Sequence, residues 1–306
     1  MTILATVAGI LLALNVLGFV LNKMLFSGEL AGMKPYGRLV NVHGQKMHIY
    51  SLGDGEKTIV LLPGLGVPLP SADFGPLMRE LSRQYSVVCI EYFGTGFSDR
   101  TEIPRTNENY TGEIREVLSS AGFLPPYILM PHSASGIYSE YYATKYPEEV
   151  SAIIMLDTTS SAEKGAEVPR FLYQLGRLQQ ANGFGRILNS IIAPRLLKEE
   201  NGYTRQEIRD YRKFLNHALN DTIIDQNIRF NDNIFEVMGM EFPEGIPVLK
   251  IVPEGTVRQV GEKYQEDHMK RLGKSSGYRI VAGSHFLYQT DSVVIHEMTT
   301  DFLNKH

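Results

Sequence analysis

One serine, set between an apolar strand-like run and a helical run, constrains this chain more than any other feature. Residues 127–130 are short and apolar, Pro131-His132-Ser133-Ala134-Ser135-Gly136 follows, and residues 137–146 carry a helical pattern. A tight turn at such a junction thrusts its side chain past the carboxyl edge of a sheet, where open α/β folds bind ligands. The flanking chain repeats the alternation. A β-branched apolar run at residues 57–62 ends in Pro63-Gly64-Leu65-Gly66, and a second at residues 85–92 ends in Phe93-Gly94-Thr95-Gly96-Phe97-Ser98-Asp99. Between them Phe74, Leu77 and Leu81 keep a helical period over residues 74–84, residues 113–121 read as helix, and residues 152–156 as strand. Ahead of these, residues 39–51 alternate around His43-Gly44-Gln45, the signature of a hairpin. Strand and helix alternating at this spacing predict an α/β protein built on a doubly wound, mostly parallel sheet covered on both faces.

The alternation breaks once. From about residue 160 to 245 the pattern is helical throughout, through Phe171, Leu172, Leu175 and Leu178, then Ile187, Ile191 and Leu196, then Ile208, Tyr211, Phe214 and Leu215. Strand returns at residues 247–252, followed by helix at 259–272, strand at 278–281 and a last helix at 291–304. An all-helical stretch between two strands of one sheet predicts a cap inserted into a single domain spanning residues 37–306.

At the N-terminus, residues 2–22 carry no charged side chain and are dominated by Leu, Ile, Val, Ala, Phe and Gly. About 20 residues at about 1.5 Å each cover a hydrocarbon layer about 30 Å thick. No Lys or Arg precedes the stretch and no small-residue cleavage site follows it, so residues 1–24 are expected to be an uncleaved membrane anchor rather than a signal peptide. A helix that covers a groove or joins a homodimer is the alternative, since Asn15, Asn22 and several glycines dilute the run. Lys23, Lys34 and Arg38 all follow it, which tilts the orientation toward a cytoplasmic domain without deciding the side.

Other chemistries find no footing. A net charge of −4 without long basic runs argues against a nucleic-acid partner. The single cysteine, Cys89, sits in an apolar run and reads as a buried hydrophobe. No Cys/His spacing fits zinc, and no glycine pattern fits a dinucleotide or a nucleotide phosphate, so neither metal nor organic cofactor is expected.

An unactivated serine hydroxyl is a poor nucleophile near neutral pH. It needs a histidine to take its proton, a carboxylate to hold that imidazole, and N–H donors for the oxyanion. Taken together and in order, Pro63-Gly64-Leu65-Gly66, residues 91–99, His132-Ser133-Ala134-Ser135-Gly136 and Gly283-Ser284-His285-Phe286 resemble the alpha/beta-hydrolase superfamily, in its capped esterase, lipase and peptidase branches. The likeness runs from about residue 39 to the C-terminus. It departs from the family's G-x-S-x-G at both glycines, where Pro131 and Ser135 stand.

The resemblance implies Ser133 as nucleophile and His285, just after the last strand, as its base. It also implies oxyanion donors at the backbone N–H groups of Leu65 and Ala134. His43 and His48 fall in the hairpin, away from the site, and the His132 side chain is expected to point away from the nucleophile. The acid has two candidates, because Thr256 occupies the family's usual position. Asp157, ending the strand before the cap as in haloalkane dehalogenases, is preferred; Glu254 is the alternative. A serine rather than an aspartate at the elbow argues against epoxide-hydrolase and dehalogenase chemistry. The implied activity is hydrolysis of a carboxylic ester with an apolar or lipid-like acyl group. An amidase or aminopeptidase, with Glu163, Glu167, Glu199 or Glu200 holding an amine, or a non-catalytic binding or signalling relative, are the alternatives.

Overall fold

A computed structural model of the protein describes residues 2–165 and 168–306, the side chains of residues 2–5 and 8 excepted. Helix α1 (Thr2–Phe26) leads through a turn into the hairpin of β1 (Arg38–Val42) and β2 (Gln45–Leu52). His43 and Gly44 both take positive φ at its tip, the geometry of a tight two-residue turn. Strand β3 (Thr58–Leu62) is followed by α2 (Pro70–Asp73) and α3 (Gly75–Leu81), and β4 (Ser86–Glu91) by α4 (Asn107–Ser120). Strand β5 (Tyr127–Pro131) runs into α5 (Ser135–Lys145), and β6 (Val150–Leu156) precedes the helical insertion of α6 (Arg170–Ala181), α7 (Phe184–Leu196), α8 (Arg205–Leu215) and α9 (Asp221–Met238). Then come β7 (Val248–Pro253), α10 (Glu254–Val260), α11 (Glu262–Leu272), β8 (Ser276–Val281) and α12 (Ser292–Leu303).

The eight strands form one sheet in the order β1-β2-β4-β3-β5-β6-β7-β8. The β1–β2 and β2–β4 pairs are antiparallel and all others parallel, with Val60 opposite both Val88 and Leu129. Because the chain steps from β3 out to β4 and then back across to β5, the strand order reverses between β3 and β5. Crevices at such reversals, at the carboxyl ends of the strands, are where open α/β sheets hold ligands.

The central strands β3, β4 and β5 are buried along their whole length, so their side chains alternate between two cores. Val60, Leu62, Val88 and Leu129 pack with Ile114, Val117, Tyr138 and Tyr142 from α4 and α5. Ile59, Leu61, Cys89 and Met130 pack with Leu77, Leu81, Ile295 and Leu303 from α3 and α12. Cys89 is fully buried, and that burial raises its thiol pKa well above the usual range, so it stays a neutral hydrophobe.

Helix α4 starts earlier than the apolar period predicts. Thr106 caps it by accepting from Asn109 N, and buried Asn107 bonds Asn233 and Glu236 of α9, which ties the helix to the insertion. In the same way Asn220 caps α9 through Ile223 N, and Thr204 with Glu207 forms a capping box at α8. Where residues 259–272 predict one helix, Gly261, at φ +84°, divides α10 from α11.

Candidate active site

At the end of β5 the chain makes a tight turn. Ser133 has φ +55°, a conformation that costs a non-glycine residue roughly 1 kcal/mol. The turn is pinned on both sides: Ser133 N donates to Leu156 O at 3.1 Å, while Ser133 O accepts from Gly136 N at 3.1 Å and Thr159 N at 3.0 Å. The replaced glycines are accommodated. Pro131 ends the strand, and the Ser135 hydroxyl lies 3.0 Å from Tyr92 Oη and donates to Pro63 O, tying the elbow to the loop after β3. Close backbone approach falls on other glycines. A Cβ on Gly64 would lie 2.9 Å from both Ser133 Cβ and His132 Nδ1, and one on Gly136 would lie 2.5 Å from Thr158 Cβ.

Three sequence-predicted residues converge at this edge. His285, in the loop after β8, has Nε2 3.0 Å from Ser133 Oγ and Nδ1 2.7 Å from Asp157 Oδ2. A carboxylate only accepts, so Nδ1 carries the proton and Nε2 is left to accept from the serine hydroxyl. Asp157 is buried at the end of β6 and, like Ser133, takes a positive φ, +43°. Glu254 is not brought to the histidine: it is exposed at the start of α10, 3.7 Å from Arg258. Thr256, in the position where the resemblance expects the acid, instead donates its hydroxyl to Asp157 Oδ2 at 2.6 Å. The same carboxylate oxygen therefore receives both His285 and Thr256.

The N–H groups of Leu65 and Ala134 flank the serine, after Gly64 and at the first turn of α5. Neither donates to a protein acceptor among the described residues. Such free donors beside a serine hydroxyl suit a developing oxyanion.

The sequence of the alpha/beta hydrolase fold family matches residues 57–227. The chain belongs to that family. This hydrolase is 26% identical over 318 residues to "Uncharacterized protein YbdG" of Bacillus subtilis (strain 168), covering 99% of this chain and 96% of that one. Among solved structures it resembles Cfl2 from Burkholderia cenocepacia at a TM-score of 0.70 and 17% identity, over 87% of this chain and 94% of the other. It also resembles the epoxide hydrolase VrEH1 from Vigna radiata at a TM-score of 0.68 and 19% identity, over 88% and 97% of the two chains.

Two supports of the hydrolase site carried no sequence signal. His132 does not stand apart from the site: its ring centroid is 4.6 Å from that of His285, and its Nε2–H donates to the His285 carbonyl at 3.0 Å. Burial, with the neighbouring His285, lowers the His132 pKa to about 3, so the ring stays neutral. Asp73, buried at the end of α2, accepts from Gln289 Nε2 at 2.7 Å and from the Tyr288 hydroxyl, tying down the segment that follows His285. Burial raises the Asp73 carboxyl to about 6 against the opposing pull of those two hydrogen bonds. Leu65 also lines a cavity of about 630 Å³, walled by Val168, Tyr173, Ile228 and Phe230 and by the polar Asn231 and Asp232. The cavity thus opens between the loop after β3 and the helical insertion. Of the insertion's other carboxylates, Glu199 pairs with Arg205 and Glu200 with Lys198 at the surface, and Glu167 lies outside the described residues. Among the described residues no acidic, histidine or cysteine cluster has the makings of a metal site.

Proposed function

We propose that this hydrolase is a serine esterase in which Ser133 attacks a carboxylic ester, His285 takes the hydroxyl proton on Nε2, and Asp157 holds and stabilises the imidazolium. The observation that carries the reading is the unbroken line from Ser133 Oγ through His285 to Asp157, with a serine, not an aspartate, at the strained elbow. The tetrahedral oxyanion accepts from the Leu65 and Ala134 N–H groups. Collapse expels the alcohol, which leaves with the proton from His285. Water then enters, gives a proton to the same nitrogen, and releases the acid by the reverse path. Epoxide hydrolases share the fold, but a serine elbow favours acyl transfer over epoxide opening. In the cavity beside Leu65, Val168, Ile228 and Phe230 offer contacts to an apolar acyl chain, next to the polar Arg170, Asn227, Asn231 and Asp232. The surface ion pairs of Glu199 and Glu200 leave those two carboxylates poorly placed to hold a substrate amine.

Helix α1 is long and apolar enough to cross a membrane, with mean hydropathy 1.8 over Gly9–Phe26 and none of that stretch buried. We read it as the anchor that keeps the esterase at a lipid surface, in line with an apolar substrate.

The test is capture of Ser133. A fluorophosphonate probe should label the wild-type protein and not Ser133→Ala, and wild type should hydrolyse p-nitrophenyl butyrate without opening styrene oxide. No labelling of folded wild type points to a non-catalytic relative. Ser133→Ala activity within about tenfold of wild type removes Ser133 as nucleophile.

A further inference from the structure

Helices α6 and α7 sit on the protein inside out. Each turns a polar side chain inward: Gln180 of α6 exchanges hydrogen bonds with Leu219 O and N at 2.8 and 3.0 Å, and Asn189 Nδ2 of α7 donates to Asn216 Oδ1 at 3.1 Å, while Gln174, Arg177 and Arg195 stay exposed. Their apolar stripes face outward. Phe171, Leu175 and Leu178 of α6 and Ile187, Leu188 and Ile191 of α7 are all exposed, Phe171 by 66% and Ile187 by 62%, and every residue of α6 is at least partly exposed. An amphipathic helix in water turns this stripe to the core, so two adjacent helices doing the opposite need an apolar surrounding.

Helix α1 says what that surrounding is. The turn joining α6 to α7 is docked on it, and the docking consumes the two polar residues that dilute its apolar run. Asn15 donates to Leu11 O at 2.8 Å and accepts from Asn182 Nδ2 at 2.7 Å. Asn22 donates to Ala181 O at 3.0 Å and accepts from Arg186 Nε at 2.7 Å. Gly18 leaves room for the Asn182 carbonyl, which a Cβ there would meet at 2.6 Å. Polar groups satisfied this fully inside an apolar helix are what a hydrocarbon solvent demands, because it offers no partners of its own. These contacts run from Asn15 to Arg186 beside Phe26. That is about 16 Å of helix, or about half of a hydrocarbon layer about 30 Å thick.

We propose that the α6–α7 hairpin is a second lipid-embedded element, inserted beside α1 into the same leaflet, so that the protein meets the bilayer through three helices rather than one. This rests on α1 being the membrane anchor. The cavity beside Leu65 is lined by Pro169 and Arg170 at the start of α6 and by Tyr173 within it, so the inserted hairpin would bring the cavity mouth to the lipid surface. An apolar ester then reaches the site without crossing water.

The test uses full-length protein in vesicles of phosphatidylcholine and phosphatidylglycerol, since Cys89 is buried and leaves introduced cysteines as the labelling sites. Leu175→Cys, Ile187→Cys and the control Glu148→Cys each carry an environment-sensitive fluorophore, and the vesicles contain acyl-chain doxyl lipid. Doxyl should quench positions 175 and 187 at least twofold and leave 148 unchanged. Quenching at 175 and 187 no greater than at 148, with the protein still bound to vesicles, overturns the insertion and leaves the anchor standing. Unquenched labels with Ile187→Cys cross-linking between copies overturns it in favour of a homodimer face. Protein recovered free of vesicles overturns both insertion and anchor. Fluorophosphonate labelling of the same samples reports on folding and on the Ser133 reading separately.

Discussion

The proposed acid is the member of the site most open to a quantitative test. Asp157 Oδ2 accepts from His285 Nδ1 at 2.7 Å and from Thr256 Oγ1 at 2.6 Å, so an amide oxygen in that place keeps both donors and loses the charge. In Asp157→Asn the imidazolium formed during attack therefore lacks its counter-ion. Two unit charges about 4 Å apart attract by about 4 kcal/mol at an effective dielectric of about 20. The His285 side chain is 44% exposed, and solvent screening reduces this to about 3 kcal/mol. At about 1.4 kcal/mol per tenfold that is a loss of about a hundredfold in kcat, and an amide turned to face Nδ1 with its NH₂ deepens it by imposing the wrong tautomer. KM for p-nitrophenyl butyrate should change little, because the carboxylate touches no substrate. Glu254→Gln is the matched control: it removes an exposed charge that pairs with Arg258 at 3.7 Å and should leave kcat within about twofold. The reasoning fails if folded Asp157→Asn turns over within about tenfold of wild type, and it is reversed if Glu254→Gln is the crippled variant.

Thr256→Val should lower kcat by about three- to tenfold with KM unchanged, since it removes one charge-assisted hydrogen bond while Asp157 keeps its charge and its contact with His285. A loss as deep as that of Asp157→Asn would make Thr256 more than a support. His132 should mark the acid limb of stability. Its pKa is lowered to about 3 in the fold, so between the ordinary histidine value and about 3 the unfolded chain binds a proton that the native state refuses. Stability then falls as pH drops from about 6.5 towards about 3, by about 1.4 kcal/mol per pH unit from this group. Urea melts of wild type and His132→Gln at about pH 4 and pH 6 should show the steeper fall in wild type, and parallel falls would remove His132 as the cause.

What the sequence determined by itself is what local pattern can encode. The alternation of β-branched runs with helical periods specified strands β3 to β6 and the helices between them, because the periods of two and 3.6 residues follow from backbone geometry alone. The hairpin tip at His43 and Gly44 and the strand-serine-helix junction at Ser133 were legible for the same reason: each depends on a few consecutive residues and the φ values they tolerate. Between Asp157 and Glu254 as the partner of His285 the sequence offered only a preference for Asp157 by its place at a strand end. That choice depends on the stagger of β6 against β7, which sets how far Asp157 and Glu254 each stand from the histidine loop and belongs to two segments rather than one. Thr256 looked like a gap in a family pattern and proves to be a hydrogen-bond donor to the carboxylate on the neighbouring strand. His132 and Asp73 hold the histidine loop through partners more than 150 residues away, and Asn107 begins α4 six residues early by bonding α9 across the fold. Asn15 and Asn22, which diluted the apolar run of α1 on the page, are instead its points of attachment to the insertion. A polar side chain's meaning is set by the partner that satisfies it, and only the tertiary structure chooses that partner.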